Sequence, residues 1–265
     1  MIQLLPYMIL SYATCAVSVS SMRKEAAHRS EQVSQLLFGE RAEILQVKDD
    51  YWALVRSFAD DYEGWCLLGQ LQRVGKKEFQ KGAKFIVAGH HSRLVGAEGE
   101  LLLPAGAVLK PGTVLLGDQK ASFKGKKHLM AELVPDGKHI EALARSFRYA
   151  PYQWGGRSLQ GIDCSGLSQL VLRLSGVQIH RDASQQAVQG QAITFLQEAR
   201  CGDLAFFANA EDRINHVGIL LNEQTIIHAT ETAGCVVIDK IDQEGIVSRM
   251  LRKRTHTLRL IRRYF

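Results

Sequence analysis

The sequence predicts an α+β protein whose first half consists of short strands and whose second half places helices before an antiparallel sheet. Two observations lead to this prediction. Apolar and aromatic runs separated by turn residues fill residues 12–135, where no helical run is long enough to cover a sheet. From residue 136 the apolar spacing first becomes helical and then returns to strands. We therefore place a domain boundary near residue 136.

The composition of the 265 residues is that of a globular protein, with 46% apolar and 23% charged residues. A formal net charge of +6 is too small to predict a nucleic-acid-binding protein. The five cysteines include no CxxC pair, and the nine histidines form no HExxH motif. We therefore expect no disulfide framework, no bound metal and no cofactor.

The N-terminal segment has two interpretations. Residues 1–22 carry no charged side chain and in this respect are similar to a signal peptide. However, no Lys or Arg precedes the apolar run, Pro6 interrupts it, and the run is too short to span a bilayer. The alternation in CAVSVSSM, after Tyr12, favours the start of a strand. We expect a cytoplasmic protein without an integral membrane segment, and periplasmic or extracellular export is the alternative.

Two small β-barrels are predicted in the first half. Residues 12–73 contain three strand-like runs separated by Asp-rich turns, namely AEILQV, YWALVRSF and GWCLLGQL. Residues 74–135 repeat this pattern with more glycine, and they predict a second barrel by a weaker signal. His90–His91 is interpreted as a pair in a loop.

The C-terminal domain, residues 136–265, is predicted to pack helices on an antiparallel sheet. Asp136 can cap a first helix, residues 163–175 form an amphipathic second helix that ends at Gly176, and a short third helix follows Asp182. Five strands come next, in DLAFFAN, NHVGILL, TIIHATE, CVVIDKI and LRLIRRYF. The basic C-terminal segment is interpreted as the solvated face of the last strand.

Cys164 is the candidate nucleophile. It falls at the start of the second predicted helix, where unpaired backbone N–H groups and the helix dipole present partial positive charge. This environment predicts a depressed thiol pKa and offers donors to an oxyanion. Glycines 155, 156 and 161 let the preceding chain turn sharply and approach a substrate. The remaining cysteines are interpreted as packing or inert residues: Cys15, Cys66, Cys201 and Cys235.

Two histidines on neighbouring predicted strands are the candidate base and its partner. His216 and His228 flank a predicted hairpin turn at residues 222–224. An imidazole in an apolar strand should have a polar partner. We therefore predict that His216 takes the proton of Cys164 and that His228 fixes the tautomer and orientation of His216.

The motifs of this chain resemble those of a known family. Their order and spacing over residues 138–265 are similar to those of the NlpC/P60-type, papain-like cell-wall peptidases, in YQWGGRSLQGIDCSG, RDASQQ, ARCGDLAFF, NHVGIL and IIHAT. Residues 12–135 resemble the bacterial SH3-like domains that some members carry. The resemblance implies hydrolysis of the γ-D-glutamyl–diamino acid bond in peptidoglycan stem peptides or muropeptides. One branch with this layout releases L-Ala-γ-D-Glu from fragments with a free N-terminal L-Ala.

The resemblance implies roles for single residues around the thiol. Cys164 matches the nucleophile of the family, His216 the base and His228 the third polar residue. Tyr152 matches a tyrosine that donates to the oxyanion, and Trp154 matches a wall of the pocket.

Residues for binding the dipeptide are implied in the same way. Asp163, Ser165 and the Arg181–Asp182 pair match positions that contact it in the dipeptide-releasing branch. A substrate ammonium calls for a carboxylate such as Asp182, and the D-Glu carboxylate calls for donors such as Arg181 or Ser165. Glu63, in the turn DYEGW, is expected to close the pocket over the substrate amine.

Two other functions are compatible with the sequence. The first is a papain-like amidase or acyltransferase that acts on another substrate. The second is a protein without catalytic activity whose barrels bind wall peptides. The presence of Cys164, His216 and His228 together favours an enzyme over the binding protein. We expect it to act as a monomer.

Overall fold

The computed structural model describes residues 8–265. The chain divides into two compact units, one ending at Leu129 and one beginning at Met130. The signal-peptide alternative falls in part on residues 1–7, which lie outside the described residues. Within the described part of the chain, the structure contains no helix with the length and apolar character needed to cross a membrane.

A seven-stranded sheet begins the N-terminal unit. Its strands are β1 (Ser11–Cys15), β2 (Val19–Arg23), β3 (Gln32–Leu37), β4 (Arg41–Lys48), β5 (Trp52–Ser57), β6 (Glu63–Leu67) and β7 (Leu71–Val74). They follow the spatial order β3-β2-β6-β5-β4-β1-β7. One core collects buried side chains from all seven strands, including Ala13, Leu36 and Val55. The sheet therefore wraps around a single core, as a small barrel does.

The rest of the N-terminal unit consists of a short helix and seven short strands. They are α1 (Lys76–Lys81), β8 (Phe85–Val87), β9 (Ser92–Val95), β10 (Glu100–Leu103), β11 (Val108–Leu109), β12 (Val114–Leu116), β13 (Gln119–Lys124) and β14 (Lys127–Leu129). The strands form sheets in the orders β10-β9-β13-β12 and β11-β8-β14. The division of residues 12–135 into two barrels stays a prediction, because both groups of strands belong to one compact unit.

Three helices of the C-terminal unit agree with the sequence. They are α2 (Gly137–Ser146), α3 (Cys164–Leu174) and α4 (Ala183–Gln186). The Asp136 carboxylate accepts the His139 amide at 2.9 Å and so caps α2, as predicted. Gly176 follows the end of α3 with φ +90°, a conformation that favours glycine. The boundary between the units falls before the predicted start at residue 136.

The sheet of the C-terminal unit closes on itself. A two-stranded ribbon, β15 (Arg157–Ser158) and β16 (Gly161–Ile162), precedes α3. The sheet strands are β17 (Gln191–Ile193), β18 (Leu204–Ala208), β19 (Ile214–Asn222), β20 (Thr225–Thr230), β21 (Cys235–Asp242), β22 (Gly245–Ser248) and β23 (Lys253–Arg263). Their order is β17-β23-β18-β19-β20-β21-β22, and β23 also pairs with β22. The sequence did not predict β17 or β22.

Helix α3 is packed more deeply than an amphipathic helix requires. Ten of its eleven residues are buried, and it contacts β19 and β20. Its sequence, CSGLSQLVLRL, has a single charged residue, so almost every face can be buried. The sequence predicted that only one face of this helix is buried, whereas the structure buries nearly all of its faces. This packing brings the first residue of α3, Cys164, against the strand that carries His216.

Candidate active site

The thiol of Cys164 lies at the start of α3 and only 6% of this residue is exposed. Its sulfur accepts hydrogen bonds from the backbone N–H groups of Val217 and Ser165. Val217 follows His216 on β19. The thiol of the predicted nucleophile therefore contacts the strand that carries the predicted base.

The predicted depression of the thiol pKa is wrong for the resting protein. Burial and, to a lesser extent, the Asp163 carboxylate raise the pKa of Cys164 to about 12, although the Val217 amide and the Arg181 charge act in the opposite direction. The start of α3 is buried, so the cost of removing a thiolate from water exceeds the stabilisation by the helix dipole. A thiol that keeps its proton needs a base at the moment of attack.

His216 and His228 form a hydrogen-bonded pair on adjacent strands. His216 Nε2 lies 2.8 Å from His228 Nδ1, and the two rings meet edge to face. Burial lowers the pKa of His216 well below its ordinary value, and the neighbouring His228 and His256 lower it further. The predicted base is therefore a neutral imidazole. Because Nε2 is engaged by His228, Nδ1 is the ring nitrogen that can take the thiol proton.

Two side chains of this cluster were missed in the sequence. Asp239 on β21 places Oδ2 3.3 Å from His228 Nε2. His256 on β23 stacks on His216, with ring centroids 4.2 Å apart and planes inclined by 26°. A carboxylate inside the apolar run CVVIDKI was a signal for Asp239. His256 gave no such signal, because it lies in the basic segment that was interpreted as a solvated face.

A buried ion pair holds the start of α3. The Asp163 carboxylate accepts two bonds from Arg181, at 2.6 and 3.0 Å, and the amides of Gly155 and Gly166 at 2.8 and 2.7 Å. Arg181 also donates to the Ser165 hydroxyl at 2.7 Å. These side chains are brought together but bind one another. The contacts with a dipeptide expected of Asp163, Ser165 and Arg181 stay predictions.

Close backbone contacts account for the glycines before the thiol. A Cβ at Gly166 would lie 2.3 Å from the carbonyl oxygen of Gly156, and a Cβ at Gly156 would lie 2.3 Å from that of Gly161. Gly155 has φ +72°. The glycines thus allow the loop to pack on its own ribbon and on α3. The sequence predicted only that they let the chain approach a substrate, and did not predict this structural role.

Tyr152 lies near the thiol and is held by a carboxylate. Burial raises its pKa, the negative charges of Cys164 and Asp163 raise it further, and its hydroxyl hydrogen-bonds to Glu231. The phenol therefore keeps its proton and remains a donor. To stabilise an oxyanion, as predicted, the hydroxyl has to turn away from Glu231. Trp154 is 54% exposed, and its role as a pocket wall stays a prediction.

The two remaining predicted binding residues occupy different units. Asp182 is half-buried before α4, and its amide donates to Gln185 Oε1 at 3.2 Å. Glu63 begins β6 in the N-terminal unit and accepts a bond from Arg56 Nη2 at 2.9 Å. Their contacts with a substrate stay predictions. Among the side chains of residues 8–265, no group of three or more His, Cys, Asp or Glu is placed to hold a metal ion.

Comparison with known proteins identifies two domains in this chain. The NlpC/P60 family matches residues 149–255. This region contains Cys164 and three other side chains of the site, namely His216, His228 and Asp239. The chain carries an NlpC/P60 domain. This makes it a cysteine-type peptidase, as the sequence predicts. Residues 22–71, within the first sheet, match the bacterial dipeptidyl-peptidase SH3 domain, so an SH3-like domain precedes the NlpC/P60 domain.

Two curated relatives and one solved structure match most of the chain. The γ-D-glutamyl-L-lysine dipeptidyl-peptidase of Bacillus subtilis is 26% identical over 77% of this chain and 74% of its own length. Dipeptidyl-peptidase 6 of Lysinibacillus sphaericus is 25% identical over 85% and 90%. The crystal structure of an NlpC/P60 family protein from Bacillus cereus has a TM-score of 0.81, with 18% identity and coverage of 96% and 99%. The last comparison shows a shared fold.

Proposed function

We propose that the protein hydrolyses the γ-D-glutamyl–L-diamino acid bond of peptidoglycan stem peptides, and that it releases L-Ala-γ-D-Glu from fragments with a free N-terminal L-Ala. The observation that carries this proposal is the Cys164 thiol bonded to the amide of Val217, next to His216, which itself pairs with His228. The names of the two relatives support it, because both are dipeptidyl-peptidases and one name specifies γ-D-glutamyl-L-lysine.

The reaction starts from a neutral thiol and a neutral imidazole. As Cys164 Sγ attacks the γ-carbonyl carbon, His216 Nδ1 takes the thiol proton, so that no buried thiolate has to persist before attack. The N–H groups at the start of α3 and the Tyr152 hydroxyl are the donors available to the oxyanion. His216 then protonates the leaving amine, and water, deprotonated by the same imidazole, releases the dipeptide.

Recognition of a free N-terminus requires negative charge. Asp182 is half-buried, and Glu231 lies at the Tyr152 hydroxyl, so both carboxylates are candidates for binding an ammonium group. Asp163 is not counted among these candidates, because it already accepts five hydrogen bonds from other groups of the protein. They come from Gly155, Ser165, Gly166 and, twice, from Arg181.

The decisive experiment compares two cysteine variants on a defined substrate. Cys164→Ala should abolish the release of L-Ala-γ-D-Glu from L-Ala-γ-D-Glu-L-Lys and from its meso-diaminopimelate analogue, measured by mass spectrometry. Cys201→Ala is the matched control, because it removes another thiol of the same unit that bonds to the Gly137 carbonyl. Release that survives in Cys164→Ala contradicts the proposal. N-acetylation of the substrate should prevent release if the free ammonium is required.

The setting of this activity is part of the proposal. All five cysteines are free, and free thiols persist in a reducing compartment. We therefore place the protein in the cytoplasm, acting as a monomer on soluble wall fragments. Fractionation of cells followed by detection of the full chain tests the location, and sedimentation at micromolar concentration tests the oligomeric state.

A further inference from the structure

The pair of histidines in the site continues into a third polar group. His228 Nε2 lies 3.3 Å from Asp239 Oδ2, and the other oxygen of Asp239 accepts the Arg249 amide at 2.8 Å. His228 and Asp239 are 1% and 4% exposed. Three strands in succession, β19, β20 and β21, thus contribute one member each to a buried chain of hydrogen bonds.

The direction of these hydrogen bonds follows from the carboxylate. Burial raises the pKa of Asp239, but hydrogen bonds from His228 and the Arg249 amide bring it below its ordinary value, so the group is ionised at neutral pH. An ionised carboxylate accepts only. His228 Nε2 must therefore carry a hydrogen and donate it to Asp239.

The same reasoning extends to the base. A neutral His228 with its hydrogen on Nε2 has a lone pair on Nδ1, so Nδ1 accepts. His216 Nε2, 2.8 Å away, must then donate, and its hydrogen is on Nε2. The remaining nitrogen, His216 Nδ1, keeps its lone pair. This is the tautomer that can take the proton of Cys164.

We propose that Asp239 is a positioning residue that sets the tautomers of both histidines, and so gives His216 its basic Nδ1. The inference rests on the proposed use of His216 as the base. It adds a residue that bonds to His228 and acts on His216 through two imidazoles. The stacked ring of His256 restricts the plane of His216 but does not determine which nitrogen carries the hydrogen.

The informative variant is Asp239→Asn. The Arg249 amide, which makes the shorter bond to Asp239, keeps the side-chain oxygen and turns the new NH₂ group toward His228. His228 Nε2 must then accept, His228 Nδ1 must donate to His216 Nε2, and His216 Nδ1 receives a hydrogen. Reversal of the hydrogen-bond directions should lower kcat on the order of 10⁴-fold with little change in KM.

Nitrogen-15 NMR of histidine-labelled protein reports the tautomers directly and without substrate. In the unmodified protein, His216 and His228 should both show the Nε2–H pattern, and in Asp239→Asn both should show the Nδ1–H pattern. Single His216→Gln and His228→Gln variants assign the signals. Because this readout needs no activity, it separates failure of the inference from failure of the proposed function.

Asp203→Asn is the matched control for loss of a buried carboxylate. Asp203 adjoins the same sheet, is 1% exposed and accepts a backbone amide, that of Arg200, at 2.8 Å. It should lose stability but keep both tautomers. An Nδ1–H pattern or a doubly protonated His228 in the unmodified protein would overturn the inference even if Asp239→Asn does not fold. Unchanged tautomers and unchanged kcat in Asp239→Asn would overturn it as well.

Discussion

Replacement of Arg181 by Met separates a structural role from a substrate-binding role. The guanidinium is 1% exposed and makes two bonds to Asp163 and one to Ser165. Met keeps much of the aliphatic volume but removes the charge, so the Asp163 carboxylate stays buried with its remaining donors, the amides of Gly155 and Gly166 and the Ser165 hydroxyl.

The magnitude follows from the cost of a buried charge that has lost its partner. Breaking such a pair by removing one member costs about 3–5 kcal/mol of unfolding free energy. For a unit of this size, that corresponds to a fall in Tm of about 10–17 °C. Thermal and urea unfolding, followed by circular dichroism, measure the effect on the transition of the C-terminal unit.

A double-mutant cycle makes this test specific. In Arg181→Met combined with Asp163→Asn, no charge is left without a partner, so the double variant should be more stable than Arg181→Met alone. If Arg181 instead binds a substrate carboxylate, as the sequence suggested, Arg181→Met should raise KM at nearly unchanged stability. A loss below about 1 kcal/mol, the range typical of exposed pairs, would refute the structural interpretation.

Two further predictions concern packing and protonation. Gly166→Ala should lower the free energy of unfolding by about 1–3 kcal/mol or more, because its Cβ would overlap the Gly156 carbonyl oxygen. Gly69→Ala is the control, since its Cβ would meet nothing within 4 Å, and it should be near neutral in the same urea titrations. Burial, together with neighbouring imidazoles, lowers the pKa of His216 and brings that of His256 to about 4. Below about pH 6.5 the two histidines therefore bind protons in the unfolded chain but not in the folded protein. The free energy of unfolding should therefore fall between pH 6.5 and 4. His256→Phe should lessen that fall, because it removes one of the groups with a lowered pKa. An equal slope in both proteins would show that His256 contributes nothing.

The sequence predicted those parts of the site that local pattern determines. Cys164 at a helix start, and His216 and His228 on strands joined by a tight turn, are features of short segments. The same holds for α2 and for the strands with clear alternation. Helix α1 and strands β17 and β22 were missed because each is too short to show a period.

The remaining features depend on contacts between distant segments. The raised pKa of the Cys164 thiol results from burial, which a helix-start motif cannot reveal. His256 reaches His216 only because β23 closes the sheet, and the role of Arg181 depends on the fold bringing it to Asp163. The sequence thus predicted which side chains lie close together at the start of α3 and on β19 and β20, but not their electrostatic surroundings.

The protonated state of the Cys164 sulfur has a consequence for survival under oxidative stress. Peroxide converts thiolates to sulfenic acid, and a neutral thiol reacts far more slowly. If the Cys164 thiol loses its proton only while it attacks an amide bond, its sulfur is a neutral thiol between turnovers and reacts slowly with oxidants. Occupied and empty protein should then differ in their rates of inactivation by hydrogen peroxide.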